Sequence, residues 1–321
     1  MEVRRLGRSG LEVSRIGLGC GNFGGIGSAP ELFGGGESEG EAFALMDAAF
    51  EAGVRFLDTA ASYGGGRSET WVGRWRAERG ADVLLSTKVY WSVTGDPDDH
   101  GLSRERILRE AERSLSRLGT ERIDMYLTHE PDPETPIEET LRALDELVRS
   151  GKVRAIGGSN LDGAQLEEAL ETSERLGLAR FEWVQNEYSL LQRGPEADVL
   201  PICEREGLGF TPFSPLGGGW LTGKYRRGEP YPEDSRMTLR PGPYTELSND
   251  RTFDALEAFE SAAADRGVTP ATLATAWVLS LPQVTAVVVG PRRPEHLEQA
   301  LAALELPLSL QERDELAKLF A

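Results

Sequence analysis

Four side chains that can hold or move a proton stand just past short apolar runs. Asp58 follows Val54–Leu57, with Tyr63 shortly after it. Lys88 follows Val83–Ser86, and His129 follows Ile123–Leu127. Singly, each has an ordinary structural explanation: a turn cap, a loop aromatic, a solvated lysine, a core histidine. Together they describe an acid. A free phenol, with a pKa near ~10, exchanges its proton poorly at neutral pH. An ammonium beside it favours phenolate and is expected to lower that value, while a carboxylate keeps the ammonium charged and in place. A histidine nearby can hydrogen-bond the same oxygen. Such a group suits protonation of an alkoxide as hydride adds to a carbonyl. Hydrolysis fits less well, because no Ser/His/Asp or Cys/His set stands out. His100, His129 and His296 are as scattered as Cys20 and Cys203, so no metal site is expected. A Schiff-base role for Lys88 is disfavoured, since a carboxylate partner keeps the amine protonated.

The elements that must position these groups alternate. Strand-like runs fall at Ser14–Gly19, Val54–Leu57, Val83–Ser86, Ile123–Leu127, Val153–Ile156, Phe181–Val184, Gly209–Pro212 and Ala286–Val289. Helical periodicity lies between them, at 38–51, 67–79, 103–118, 136–150, 162–176, 196–206, 252–266, 270–281 and 294–304, with a last helix at 309–320. Ile107, Leu108, Ala111, Leu115 and Leu118 form one apolar stripe. Strand-then-helix repeated eight times predicts an α/β fold, a (β/α)8 barrel rather than an open doubly wound sheet. The expectation is one domain over residues 1–321, opened by a short N-terminal β-hairpin. The long Gly-, Pro- and Tyr-rich stretch Leu216–Asp250 after strand seven is expected to be a functional loop. In such a barrel the C-terminal strand ends converge, which would gather Asp58, Tyr63, Lys88 and His129.

Two glycine motifs mislead. Gly19–Gly24 spells G-x-G-x-x-G, but more glycine and Pro30 follow, and no helix can start before about Ser38. Gly218–Lys224 spells G-x-x-x-x-G-K, but Tyr225 stands where a P-loop needs Ser or Thr for its metal. Glycine beside lysine can still cradle another phosphate.

Composition narrows the classes further. The 321 residues carry 35 Lys+Arg against 53 Asp+Glu, a net charge of −18. That argues against a nucleic-acid or anionic-membrane binder. Two cysteines make no disulfide framework, and neither a signal peptide nor a membrane span is apparent, so a cytoplasmic protein is expected.

The order of motifs resembles the aldo-keto reductase family over essentially the whole chain. The resemblance is carried by Arg5–Ser14 with Gly17-Leu18-Gly19, Asp58-Thr59-Ala60 with Tyr63-Gly64, and Ser86–Val89. It continues through Asp124–Leu127 with His129, Ile156–Asn160, Gln185–Leu190, Ser214–Gly219 with Leu221–Lys224, and Val289-Gly290. It implies a (β/α)8 barrel that binds NADP(H) without a Rossmann fold, NAD(H) remaining open, and reduces aldehydes or ketones. Asp58, Tyr63, Lys88 and His129 would form the catalytic tetrad, with Tyr63 as proton donor. Ser159, Asn160 and Gln185 match positions that hold the nicotinamide carboxamide. Phe213 would pack near the nicotinamide. Ser214, Pro215, Leu216, Gly218 and Lys224 match the pyrophosphate segment. After the last strand, Gly290, Pro291, His296, Gln299 and Ala300 replace the family's usual 2′-phosphate and adenine residues; Gly290, His296 and Gln299 are still expected to contact the cofactor there, as is Asp58 at the tetrad. Arg292 is expected to substitute, because a guanidinium grips phosphate. Cys20 and Gly21 are expected to line the cofactor side, Cys20 as a small apolar group. Asn22, Phe23 and Trp91 are candidate walls of the substrate pocket, whose specificity loops would be Asn22–Gly36, Tyr90–Gly101 and Leu216–Asp250. The partner is a small carbonyl compound, with monomer and homo-oligomer both open. An alternative is a nucleotide-binding regulatory subunit of the same fold with little turnover.

Overall fold

The computed structural model describes residues 1–321. A hairpin of β1 (Val3–Arg5) and β2 (Glu12–Ser14) precedes the sheet. Eight strands follow, each paired in parallel with the next: β3 (Ile16–Gly19), β4 (Phe56–Asp58), β5 (Leu84–Val89), β6 (Ile123–Thr128), β7 (Val153–Ser159), β8 (Phe181–Gln185), β9 (Gly209–Phe210) and β10 (Val287–Val289). Strand β10 pairs back on β3. The seam beside β9 is joined by Thr285 N to Phe210 O and Val288 N to Pro212 O, both 2.8 Å. The result is the expected (β/α)8 barrel.

The connecting helices are α1 (Glu39–Glu51), α2 (Arg67–Arg79), α3 (Arg104–Leu118), α4 (Ile137–Arg149), α5 (Gly163–Leu176) and α6 (Val199–Glu206). After them come α7 (Arg236–Leu239), α8 (Asp250–Asp265), α9 (Pro270–Leu279), α10 (Pro294–Ala302) and α11 (Leu310–Lys318). Their ends follow local chemistry. Ser38 and Glu41 form a reciprocal capping box at α1, and Asp162 and Gln165 do the same at α5. Left-handed Gly119 and Gly177 close α3 and α5. No helix is long and apolar enough to cross a membrane.

Strand residues alternate between two packing environments, because successive side chains leave opposite faces of a sheet. Ile16, Leu18, Leu57, Leu85, Tyr126, Ile156, Val184, Val287 and Val289 join the large core cluster between barrel and helices. Phe56, Met125, Leu127, Ala155, Trp183, Ala286 and Val288 form a second cluster inside the barrel, together with Leu6, Leu11 and Val13 of the hairpin region. The hairpin thus plugs the N-terminal end. Large rings fit inside because glycine faces them: a Cβ on Gly17 would stand 2.5 Å from the Phe56 ring, and one on Gly157 2.7 Å from Trp183. At the other end, the inward register brings up polar side chains.

The stretch Leu216–Asp250 is more organised than its composition suggests. It contains 3-10 turns at Gly217–Thr222 and Gly242–Leu247 as well as α7, which periodicity is too short to reveal.

Candidate active site

Strand β4 ends on Asp58, and β5 places Lys88 two residues beyond Ser86 on the same inward face. All three are buried. Lys88 Nζ donates to Asp58 Oδ2 at 2.6 Å and to the Thr59 carbonyl at 2.9 Å. Its third contact is the Tyr63 hydroxyl at 3.4 Å. Asp58 Oδ1 accepts from Ser86 Oγ (3.0 Å) and Gln185 Nε2 (3.1 Å). Tyr63 Oη lies 3.5 Å from His129 Nε2, with the two rings edge to face at 5.4 Å. The four groups expected to converge therefore do. Below them, Thr87 points outward and donates to Glu69 Oε1 of α2 at 2.6 Å, and Glu69 also accepts from Arg117. That buried link fixes β5, and Lys88 with it, against the helices.

The electrostatics correct one expectation. Burial pushes the Tyr63 phenol up; Lys88 pulls it down but does not prevail, so Tyr63 titrates above the ordinary tyrosine value. Lys88 was expected to lower it, but a phenolate in this dry pocket would forfeit its hydration. For Lys88 itself, burial pulls down, while Asp58 and then Tyr63 outweigh it, and the amine stays above its ordinary value. Burial first and Lys88 second hold His129 well below the ordinary imidazole value, so its ring is neutral. His129 Nδ1 is buried without a partner. The group is a neutral phenol between an ammonium and a neutral imidazole.

The neighbouring strand ends carry the amide set. Ser159 Oγ donates to the Gln185 carbonyl at 2.6 Å. Asn160, in the left-handed region at φ 60°, donates through Nδ2 to the His129 carbonyl (3.0 Å) and to Glu130 Oε1 (3.1 Å). With Gln185 Nε2 also engaged, the amide oxygens of Asn160 and Gln185 are left to accept from a ligand. Phe213 is half-buried at the edge of the inner cluster.

Beyond β9, the backbone forms a cradle. Ser214 has φ 55°, and Gly217, Gly218 and Gly219 have φ 53°, 65° and 95°. Side chains at these glycines would be strained and blocked: a Cβ on Gly218 would stand 2.5 Å from the Tyr244 ring, and one on Gly219 2.5 Å from Lys224 Nζ. Pro215 is buried and Leu216 half-buried. Lys224 is held below its ordinary value by desolvation, then by Arg236 and Arg292. Three crowded cations beside an open glycine backbone suit an anion such as a dinucleotide's phosphates. The residues present fit that group.

Other expected residues are placed differently. Cys20 lies in the outer core, with its thiol pushed well above the ordinary value by burial, so its side chain does not line the inner face. The strand register, odd-in and even-out at β3, is the reason. Gly21 does lie at the site: a Cβ there would stand 3.6 Å from the Tyr63 ring. Phe23 is fully buried in the outer core and offers no face to a pocket. Asn22 is buried, and its Oδ1 accepts from Arg236 at 2.6 Å, so it ties down the loop instead of standing free as a wall. Trp91 is 40% exposed at the rim, edge to face with Tyr90. Gly290 is open. His296 Nδ1 faces the Arg292 amide at 3.4 Å, and the Gln299 carbonyl accepts from Thr272. Arg292 is engaged by Glu37 (2.9 Å) and the Asp234 carbonyl (2.7 Å).

Several contributors were not foreseen. Ser86 was findable, since it precedes Lys88 by one period of the strand. Thr59 acts through its backbone, and Glu37, Glu130, Arg236 and Tyr244 come from loops whose spacing gives no signal.

A parallel barrel with these groups at the C-terminal ends of its strands holds them where barrel enzymes keep their chemistry. Residues 15–320 match the aldo/keto reductase family. An uncharacterized oxidoreductase, YrpG, of Bacillus subtilis is 38% identical over 96% of this chain and 92% of its own length. A probable voltage-gated potassium channel subunit beta of Oryza sativa is 37% identical over 95% of this chain and 92% of its own. Versiconal hemiacetal acetate reductase of Aspergillus parasiticus is 33% identical over 97% and 95%. The chain belongs to the aldo/keto reductase family, as an NAD(P)H-dependent carbonyl-reducing enzyme.

Proposed function

We propose that residues 1–321 act as one cytoplasmic unit that reduces an aldehyde or ketone to its alcohol with NADP(H), Tyr63 giving the proton. The observation that carries this reading is the position of Tyr63 Oη, 3.4 Å from Lys88 Nζ and 3.5 Å from His129 Nε2. When bound, the nicotinamide supplies hydride. Everything else falls to the chain. Ser159, Asn160 and Gln185 hold the carboxamide, and Ser214, Leu216, Gly218 and Lys224 line the pyrophosphate. Tyr63 donates to the carbonyl oxygen as charge develops there, and His129, being neutral, donates from Nε2 to the same oxygen without competing as an acid. Lys88 stabilises the phenolate left behind, and Asp58, with Ser86 and Gln185 on its other oxygen, holds Lys88 in place. This division of labour is worth about 10²–10⁴-fold in rate.

Relatives named as potassium-channel beta subunits favour a second reading, a nucleotide-binding subunit with little turnover. One assay separates the two. Pure protein is mixed with NADPH and a panel of aromatic aldehydes while the nicotinamide absorbance is followed. Steady loss of absorbance supports the enzyme; tight NADPH binding without turnover supports the subunit.

A further inference from the structure

Glu37 lies between β3 and α1 and is only 4% exposed. Its backbone is pinned, with N donating to the Asn22 carbonyl at 2.9 Å and O accepting from Gly24 at 3.0 Å. Oε1 accepts from Arg292 Nε, while Oε2 is buried without any partner. Burial pushes the carboxyl up, and Arg292 and then Arg236 pull it back only in part. Arg292, just after β10, is the guanidinium that the proposed cofactor reading assigns to a phosphate on the adenosine side. It reaches that place already paired.

We propose that Glu37 sets the choice between the phosphorylated and unphosphorylated dinucleotide, by pairing with Arg292 and placing a buried carboxylate charge beside it. This rests on the reading that the chain binds a nicotinamide dinucleotide. The physical logic is one of competition. Arg292 holds Glu37 through Nε and the Asp234 carbonyl through Nη1, so a 2′-phosphate meeting its exposed side shares the guanidinium with Glu37 and lies near a carboxylate of like charge. A ribose with a free 2′-hydroxyl brings no charge against that carboxylate and needs no share of Arg292. The other acids near these cations are committed or peripheral: Glu41 caps α1 from an exposed position, and Glu295 is exposed on α10. Glu37 is the acid that pairs with Arg292.

The test is titration of NADPH and NADH against intrinsic Trp fluorescence, for wild type, Glu37→Gln and Arg292→Met. Wild type is expected to bind both, with a modest preference. Glu37→Gln should tighten NADPH about tenfold, the worth of freeing one guanidinium for a phosphate, and leave NADH within about twofold or weaker. Arg292→Met, an exposed site, should weaken NADPH and leave NADH unchanged or tighter, and this arm decides should the buried Glu37 variant fail to fold. A Kd ratio unmoved by these variants, or equal weakening of both ligands in Glu37→Gln, overturns the proposal and leaves the reductase reading standing. Failure of wild type to bind either dinucleotide overturns both.

Discussion

At the residue scale, the site works by withholding charge. Tyr63 is kept protonated by burial and His129 is kept neutral by burial and Lys88, so the proton donor we propose stands ready across the neutral range. The sign for activity follows: under the proposed mechanism reduction needs the phenol protonated, and the phenol titrates above its ordinary value. The rate of carbonyl reduction should therefore hold through neutral pH and fall only on the alkaline side, beyond about pH 10, as measured by kcat/KM against pH. Stability carries a different sign. The folded chain leaves His129 unprotonated, whereas the unfolded chain binds a proton near pH ~6.5. His129 therefore contributes stability above that pH that is lost as pH falls below it. In urea melts at pH 7 and pH 5, His129→Gln should narrow the difference between the two midpoints. Asp58 and Lys88 are buried partners, so Asp58→Asn strands the ammonium and should cost about 3–5 kcal/mol in denaturant unfolding. The four converging groups were legible because each follows an apolar run. The direction of the Tyr63 shift was not, because spacing reveals which charge is near and conceals how dry the pocket is.

At the scale of elements, the period of two in the strands decides what is chemistry and what is core. Ser86 and Lys88 face inward, while Thr87 between them reaches Glu69 of α2. The same rule explains the misplacement of Cys20, while Phe23 lies beyond the strand, where its loop bridges to Glu37 and turns the ring into the outer core. Proximity to a strand end in sequence says nothing about which face a side chain leaves by, and both joined the outer core. The eight strands and the ten long helices were readable from periodicity and caps such as Ser38. The four-residue α7 and the contacts of its loop were not, since Asn22–Arg236 and Glu37–Arg292 join residues more than 200 positions apart. Glycine inside the barrel is a packing requirement. A Cβ on Gly157 would meet the Trp183 carbonyl, as well as its ring, at 2.7 Å, and a backbone atom cannot step aside. Gly157→Ala should lose roughly 1–3 kcal/mol of stability, read from urea unfolding.

At the scale of the molecule, the net charge of −18 conceals a division. Acids cover helix faces, whereas Lys224, Arg236 and Arg292 gather beside the glycine cradle, close enough that the arginines depress Lys224. Binding of an anionic dinucleotide should therefore weaken as salt rises from low to about 0.15 M, where screening reaches ~8 Å, and Lys224→Met should flatten that dependence in fluorescence titrations. At the opposite end, Leu6 of the hairpin turn packs fully buried inside the barrel and carries no chemistry. Closure at one end thus leaves the polar groups gathered at the other. The direct test is single-turnover reduction of an aromatic aldehyde by NADPH, comparing wild type with Tyr63→Phe at matched cofactor occupancy. The structure predicts unchanged NADPH binding with turnover lowered about 10²–10⁴-fold. Turnover in Tyr63→Phe equal to that of wild type would contradict the assignment of Tyr63 as the proton donor.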